Sequence, residues 1–269
     1  MTDEGDAWVG PRGRGSPGVG RGGGMAAEGK TIDALSQFEL THVVAGFTNS
    51  NLYMLIGGIA VSALMVLGMQ RRARVPGRLQ SLAEVSYQFV HNMVDEQVGQ
   101  EGRRFFPFVF TLFMFVLFGN MLGMLPYAFT FTSHIAVTFT LALVVFILVT
   151  AVAIALHGAK FLGYFFPEGA PVWLAPIIIP VEIISYLSRV VSLSVRLFAN
   201  MVAGHVMLKV FATFVVLLGS LGGVGMLGAA APLALNIALV GFEFLVAFLQ
   251  AYVFAILTCI YLHDAVHLH

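Results

Sequence analysis

From Val181 to Leu218 the chain runs for roughly 38 residues with no helix breaker and an almost wholly apolar composition. As an α-helix that run is about 57 Å long, whereas a perpendicular crossing of a ~30 Å hydrocarbon core takes only about 20 residues. A second run, from Pro232 to about Leu262, is overlong in the same way. Helices of this length must tilt strongly, break, or leave the membrane. The first run also carries Arg189, Arg196, Asn200 and His205, with Glu182 at its start. An arginine in mid-hydrocarbon costs about 2.5–3.5 kcal/mol on insertion scales. A chain that places two there is using at least one.

Composition agrees with a membrane protein. The 269 residues are 58% hydrophobic and only 10% charged, against about 25% charged in soluble domains. Fourteen basic and fourteen acidic residues balance, so net charge points to no nucleic-acid partner. The single cysteine, Cys259, excludes an intramolecular disulfide. Residues 1–30, rich in Gly, Arg and Pro, read as a disordered tail without the apolar core of a signal peptide, and Met25 is an alternative start. Residues 31–269 read as one membrane domain.

Two nucleotide-binding patterns lack their context. Gly24–Thr31 fits G-x-x-x-x-G-K-[ST], and Gly223–Gly228 fits G-x-G-x-x-G. Each needs a preceding strand and an α/β domain. The first lies in the tail. The second lies in the Gly-rich segment 219–231 between two membrane-length helices, which reads as a hairpin turn on the outer face.

The remaining spans follow from apolar length. They are predicted at Leu52–Met69, Phe105–Tyr127 and Ile135–Leu156. Within the second, Gly119-x-x-x-Gly123 permits close helix contact. Residues 79–101 place Leu82, Val85, Phe89, Met93 and Val90 on one face and read as an amphipathic interfacial helix. The fold class expected is therefore an all-α integral membrane protein. It has about five membrane-embedded helices and one interfacial helix, and the last two helices form a long tilted hairpin. Arg71, Arg72, Arg74, Arg78, Arg103 and Arg104 all fall between the first two spans. The positive-inside rule puts that segment in the cytoplasm, the N-terminus outside and the C-terminus cytoplasmic. Lys160, after the third span, falls on the same side.

At 100° per residue, Glu182, Ser185, Arg189, Ser192, Arg196 and Asn200 fall within a band of about 80°. His205 lies on the opposite face. Glu182 and Arg189, about two turns apart, could help neutralise each other. Arg196 has no acid nearby on its own helix. On the last helix Asn236, Glu243 and Gln250 are spaced seven apart and share a face. In an antiparallel hairpin that face can lie against the first helix, and a Glu243–His205 pair would suit a proton relay. His263 and His267, with Asp264, have metal-ligand spacing but read as a solvated C-terminal end.

SLSVRLFANMVAGH, preceded by PVEIISYLSR and followed by FLQAYVFAILTCIYL, closely resembles the family of a subunits of the F-type ATP synthases. FGNMLGMLPY in the second span is similar to that family's second-span motif. The likeness covers roughly residues 32–262. It implies that Arg196 is the essential arginine, with Asn200 its polar partner and Gln250 the glutamine facing it. Glu182 matches an acid of the cytoplasmic half-channel, and His205 and Glu243 match a pair in the other half-channel. Ser192, Arg189 and Asn236 are possible supporting residues. The His-then-Glu order is that of mitochondrial forms, which suggests an alphaproteobacterium and its inner membrane rather than the mitochondrial inner membrane.

The resemblance further implies a non-catalytic proton-translocating stator. Its partners would be a ring of c subunits, the b subunits of the peripheral stalk, the rest of the F1F0 complex and membrane lipid, with no cofactor and no metal. The alternative is a stand-alone ion-coupled secondary transporter, which should show paired half-repeats; none is visible in the sequence.

Overall fold

The computed structural model describes residues 42–44, 47–70, 77–125, 128–158, 161, 163 and 172–267. The tail 1–30, the phosphate-loop lookalike at 24–31, Arg71, Arg72, Arg74 and Lys160 lie outside the described residues. Six α-helices carry the described chain: α1 Asn49–Gln70, α2 Arg78–Gln97, α3 Phe106–Gly123, α4 Ile135–His157, α5 Ala175–Gly219 and α6 Gly223–Val266. Strand structure among the described residues is one short antiparallel pair, His42–Val44 with Phe47–Thr48. Five helical segments, all but α2, are long and apolar enough to cross a membrane. The protein is an all-α integral membrane protein.

The two long helices exceed the sequence expectation. α5 has 45 residues and α6 has 44, about 65 Å each at 1.5 Å per residue. Prolines were expected to mark their starts, yet Pro180 and Pro232 lie inside them. The medium explains this. In hydrocarbon each unsatisfied backbone group costs several kcal/mol, so losing one hydrogen bond at a proline is cheaper than ending the helix. The turn between α5 and α6 shrinks accordingly to Ser220–Gly222. Gly222 has φ 85°, a conformation natural to glycine. A Cβ at Gly225 would collide with the Leu218 carbonyl oxygen of α5. The glycine pattern at 223–228 thus opens α6 and lets it start tight against α5.

α6 is the hub. It packs against α2, α3, α4 and α5. Ala247, Ala251, Phe254, Ala255, Cys259 and Leu262 are all fully buried. Four of these six are small, which lets neighbouring backbones come close where lipid supplies no hydrophobic drive between helices.

Gly119 and Gly123 serve a purpose other than helix–helix contact. After α3 the chain turns back through a 3-10 turn at Phe131–Ser133. A Cβ at Gly119 would come within 2.5 Å of the Phe131 ring, and one at Gly123 would collide with the Thr130 side chain. The two glycines form a cradle for this wedge, which also packs against α1, α4 and α5.

α2 also differs from its sequence reading. Ala83, Val90, Met93 and Val94 are buried against the bundle, while Leu82, Val85 and Phe89 of the expected apolar face are exposed. The apolar arc is wider than one contact. One edge meets protein and the other is left for lipid or a partner. At the C-terminal end, Asp95 is tied to Arg103 across 3.2 Å, and the Arg103 hydrogen bond holds the Asp95 carboxyl below its ordinary range.

Gly119→Leu is expected to expel Phe131 and destabilise the protein by about 1–3 kcal/mol, as overpacking does elsewhere. Thermal unfolding in detergent should show a lower midpoint. Gly58→Ala, where an added Cβ meets nothing within 4 Å, should not lower the midpoint.

Candidate functional site

Polar side chains inside an apolar helix pair are costly unless each finds a counterpart. Their placement along α5 and α6 is therefore informative. On α6, Glu243 and Gln250 lie two turns apart and are both buried, at 5% and 4% exposure. Asn236, a further two turns back, is half-buried. Asn200 of α5 donates from its amide nitrogen to Gln250 Oε1 at 3.3 Å. His205 turns Nδ1 toward Glu243 Oε1 at 3.7 Å, beyond hydrogen-bond distance. Gly204 makes this approach possible, because a Cβ there would sit 2.6 Å from Glu243 Oε1.

The other ring nitrogen of His205 reaches the 3-10 wedge. Its Nε2 lies 3.0 Å from Thr130 Oγ1. Neither Thr130 nor Asn120 figures in the sequence reading. Asn120 is fully buried on α3 and donates to the Ala247 carbonyl of α6 at 3.3 Å, between Glu243 and Gln250 along the chain. An amide inside the apolar run FGNMLG was the available signal. For Thr130, in a polar turn, no sequence pattern distinguishes it from its neighbours.

Both Glu243 carboxyl oxygens, Gln250 Nε2, Asn120 Oδ1 and Asn236 Oδ1 are buried without a hydrogen-bond partner among the described residues. Buried polar atoms are nearly always paired. A run of orphaned donors and acceptors down one side of α6 is what a hydrated path through a bundle requires.

Arg189 and Arg196 have different surroundings although they share a face of α5. Arg189 Nη1 lies 3.3 Å from Asp264 Oδ2, and its guanidinium stands over the rings of Tyr261 at 4.9 Å and Tyr186 at 5.4 Å. This corrects two expectations. Arg189 pairs with Asp264 rather than with Glu182, and Asp264 belongs to the last turn of α6 rather than to a solvated end. Glu182 is half-buried and has no ion pair among the described residues. Arg196 is exposed, and among the described residues it makes neither ion pair nor hydrogen bond. Ser185, Ser188, Ser192 and Ala199 are exposed beside it at helical spacing.

A family described as ATP synthase A chain matches residues 51–263. The chain belongs to the ATP synthase A chain family. A protein of Granulibacter bethesdensis named ATP synthase subunit a is 64% identical over 252 residues, covering 91% of this chain and 100% of the relative. One of Acidiphilium cryptum with the same name is 59% identical over 250 residues, covering 90% and 100%. One from Rhodospirillum rubrum is 53% identical over 238 residues, covering 88% and 96%. Family membership sets aside the stand-alone secondary transporter.

The Arg189–Asp264 contact is partly shielded, with 23% and 35% side-chain exposure. A double-mutant cycle with Arg189→Gln and Asp264→Asn should give a coupling of about 1 kcal/mol in detergent stability. Glu182→Gln should show no coupling to Arg189.

Proposed function

We propose that this chain is the stator channel of a rotary ATP synthase, lending two half-channels to a turning ring of c subunits. The observation that carries the proposal is Arg196, exposed and without a counter-ion among the described residues, on a largely apolar helix of an ATP synthase A chain. An arginine left bare inside a membrane has a high cost and no structural purpose of its own. A carboxyl group on a passing ring subunit would supply the missing partner. Arg196 would favour the ionised form of that carboxyl and so drive release of its proton. Its fixed charge would also repel a proton attempting to pass straight through.

The other residues fall into place around this event. His205 and Glu243 carry protons inward from the outer side to a ring carboxylate. Once neutral, that carboxyl can travel through lipid, which an ionised one could do only at great cost. After nearly a full turn its proton leaves on the cytoplasmic side near Glu182. Asn200 and Gln250, one turn from Arg196 and joined to each other, provide neutral polar groups beside the arginine. Ser192, Arg189 and Asn236 support the path. ATP chemistry belongs to other subunits of the complex, and the b subunits of the peripheral stalk hold this chain against rotation. Each charge moved through 100 mV supplies about 2.3 kcal/mol, so ATP synthesis needs several protons and a rotary gear suits it.

The protein is a multi-pass membrane protein. We place it in a bacterial inner membrane, N-terminus outside and C-terminus cytoplasmic, because the arginines between the first two spans favour the cytoplasm. An odd number of crossings then separates the termini.

Arg196→Ala should abolish ATP-driven proton pumping in membrane vesicles that still contain the assembled complex. Normal pumping would sink the assignment. Exchanging His205 and Glu243 together should retain more activity than either single replacement. A double variant no better than the singles would mean the two do not act as a pair.

A further inference from the structure

Both nitrogens of the His205 ring face a polar group, and the two contacts differ in kind. Nε2 lies 3.0 Å from Thr130 Oγ1, and Nδ1 faces Glu243 Oε1 at 3.7 Å. Thr130 Oγ1 also lies 3.2 Å from the Gly123 carbonyl oxygen. A hydroxyl has one proton to give and two lone pairs with which to accept. A carbonyl oxygen can only accept, so both contacts are satisfied together only when the Thr130 proton goes to Gly123. Toward His205 the hydroxyl is then an acceptor, and Nε2 must carry the hydrogen. A neutral imidazole is protonated on one nitrogen only. Nδ1 therefore keeps its lone pair, aimed at the Glu243 carboxyl group.

Thr130 has little freedom to do otherwise. It is buried at 4% exposure. Its carbonyl oxygen accepts from Ser133 Oγ at 2.5 Å, and its side chain fills the space that a Cβ on residue 123 would need. The absent side chain at Gly123 is what allows the hydroxyl to reach the helix carbonyl and the imidazole together.

We propose that Thr130 is a positioning residue of the proton path, fixing His205 as the Nε2–H tautomer so that Nδ1 is where the His205–Glu243 pair takes up and releases its proton. This rests on reading that pair as proton-carrying. When both groups lack the shared proton, a lone pair on Nδ1 faces the carboxylate across 3.7 Å. One arriving proton forms a single new bond, either O–H on Glu243 donating to Nδ1 or N–H on Nδ1 donating to the carboxylate. Its departure breaks that bond, and no other atom changes its bonding. In the opposite tautomer Nδ1 would already be blocked by a hydrogen. On the ring a new proton could then bind only at Nε2, which faces Thr130 and Gly123 and not Glu243, so the imidazole could not share it with the carboxylate.

The test uses the whole complex. Thr130→Val keeps the shape and removes the hydroxyl, and Thr130→Ser restores the hydroxyl. Proton flow per assembled complex should fall about tenfold in Thr130→Val, the scale of one buried hydrogen bond, and return to within about twofold of wild type in Thr130→Ser. Nitrogen NMR of complex labelled in histidine, with His205→Gln as the subtraction control, should find Nε2 protonated and Nδ1 bare in the wild type. Unchanged flow in Thr130→Val, no recovery in Thr130→Ser, or a protonated Nδ1 in the neutral wild-type ring would each overturn the inference. If Thr130→Val does not assemble, the wild-type spectrum decides alone. That spectrum does not depend on the role of Arg196, so failure here is distinct from failure of the proposed function.

Discussion

Backbone amides that enter hydrocarbon find no water to bond with, and the architecture follows from that constraint. Ending a helix exposes up to four N–H or four C=O groups. A proline removes one hydrogen bond. In the membrane the second cost is the smaller, so α5 and α6 run on through Pro180 and Pro232 and become far longer than one crossing requires. Two such helices joined by the short turn at Ser220–Gly222 must lie against each other over a long distance. Small residues on α6, chiefly Ala247, Ala251, Ala255 and Cys259, then let the other helices close around it. The hairpin is the axis along which each functional side chain takes its height.

Along that axis, what α6 sets opposite each arginine decides its fate. Arg189 and Arg196 stand two turns apart on one face of the same helix. Near the end of α6, Asp264 and Tyr261 meet Arg189 with a carboxylate and a ring face. That arrangement ties the hairpin together and leaves the charge satisfied. One turn from Arg196 on α5, the polar contact is instead Asn200 with Gln250, a neutral pair that cannot quench a positive charge. Two chemically identical residues thus become a clamp and a cation with no counter-ion among the described residues. The difference lies in the register between helices and not in either residue's own surroundings in the sequence.

That register is also where sequence reasoning reaches its limit. Apolar length located α1, α3 and α4 to within a few residues, because hydrophobicity and span length are local properties. Helical periodicity likewise separated the Arg196 face from His205, since both lie on one helix. It could not pair Arg189 with Asp264, 75 positions apart, because that contact depends on how far both helices extend and how they slide past each other. Asp264 looked like part of a tail for the same reason that Pro232 looked like a helix start: rules drawn from soluble proteins end helices too early. Gly119 and Gly123 carried a spacing that fits helix packing, and only the path of the following turn reveals that they receive Phe131 and Thr130. A wedge of irregular chain has no period, so Thr130 left no trace in the pattern.

The wedge and the bare arginine are linked by geometry. His205 and Arg196 are nine residues apart, which places them on opposite faces of α5 and about 13 Å apart along its axis. A face turned away from the arginine needs its own polar support, however, and hydrocarbon offers none. The Thr130 hydroxyl supplies it from the turn between α3 and α4, reaching His205 only because Gly123 has no side chain. One helix can therefore carry the Arg196 charge on one side and the histidine that meets Glu243 on the other, with the body of the helix between them.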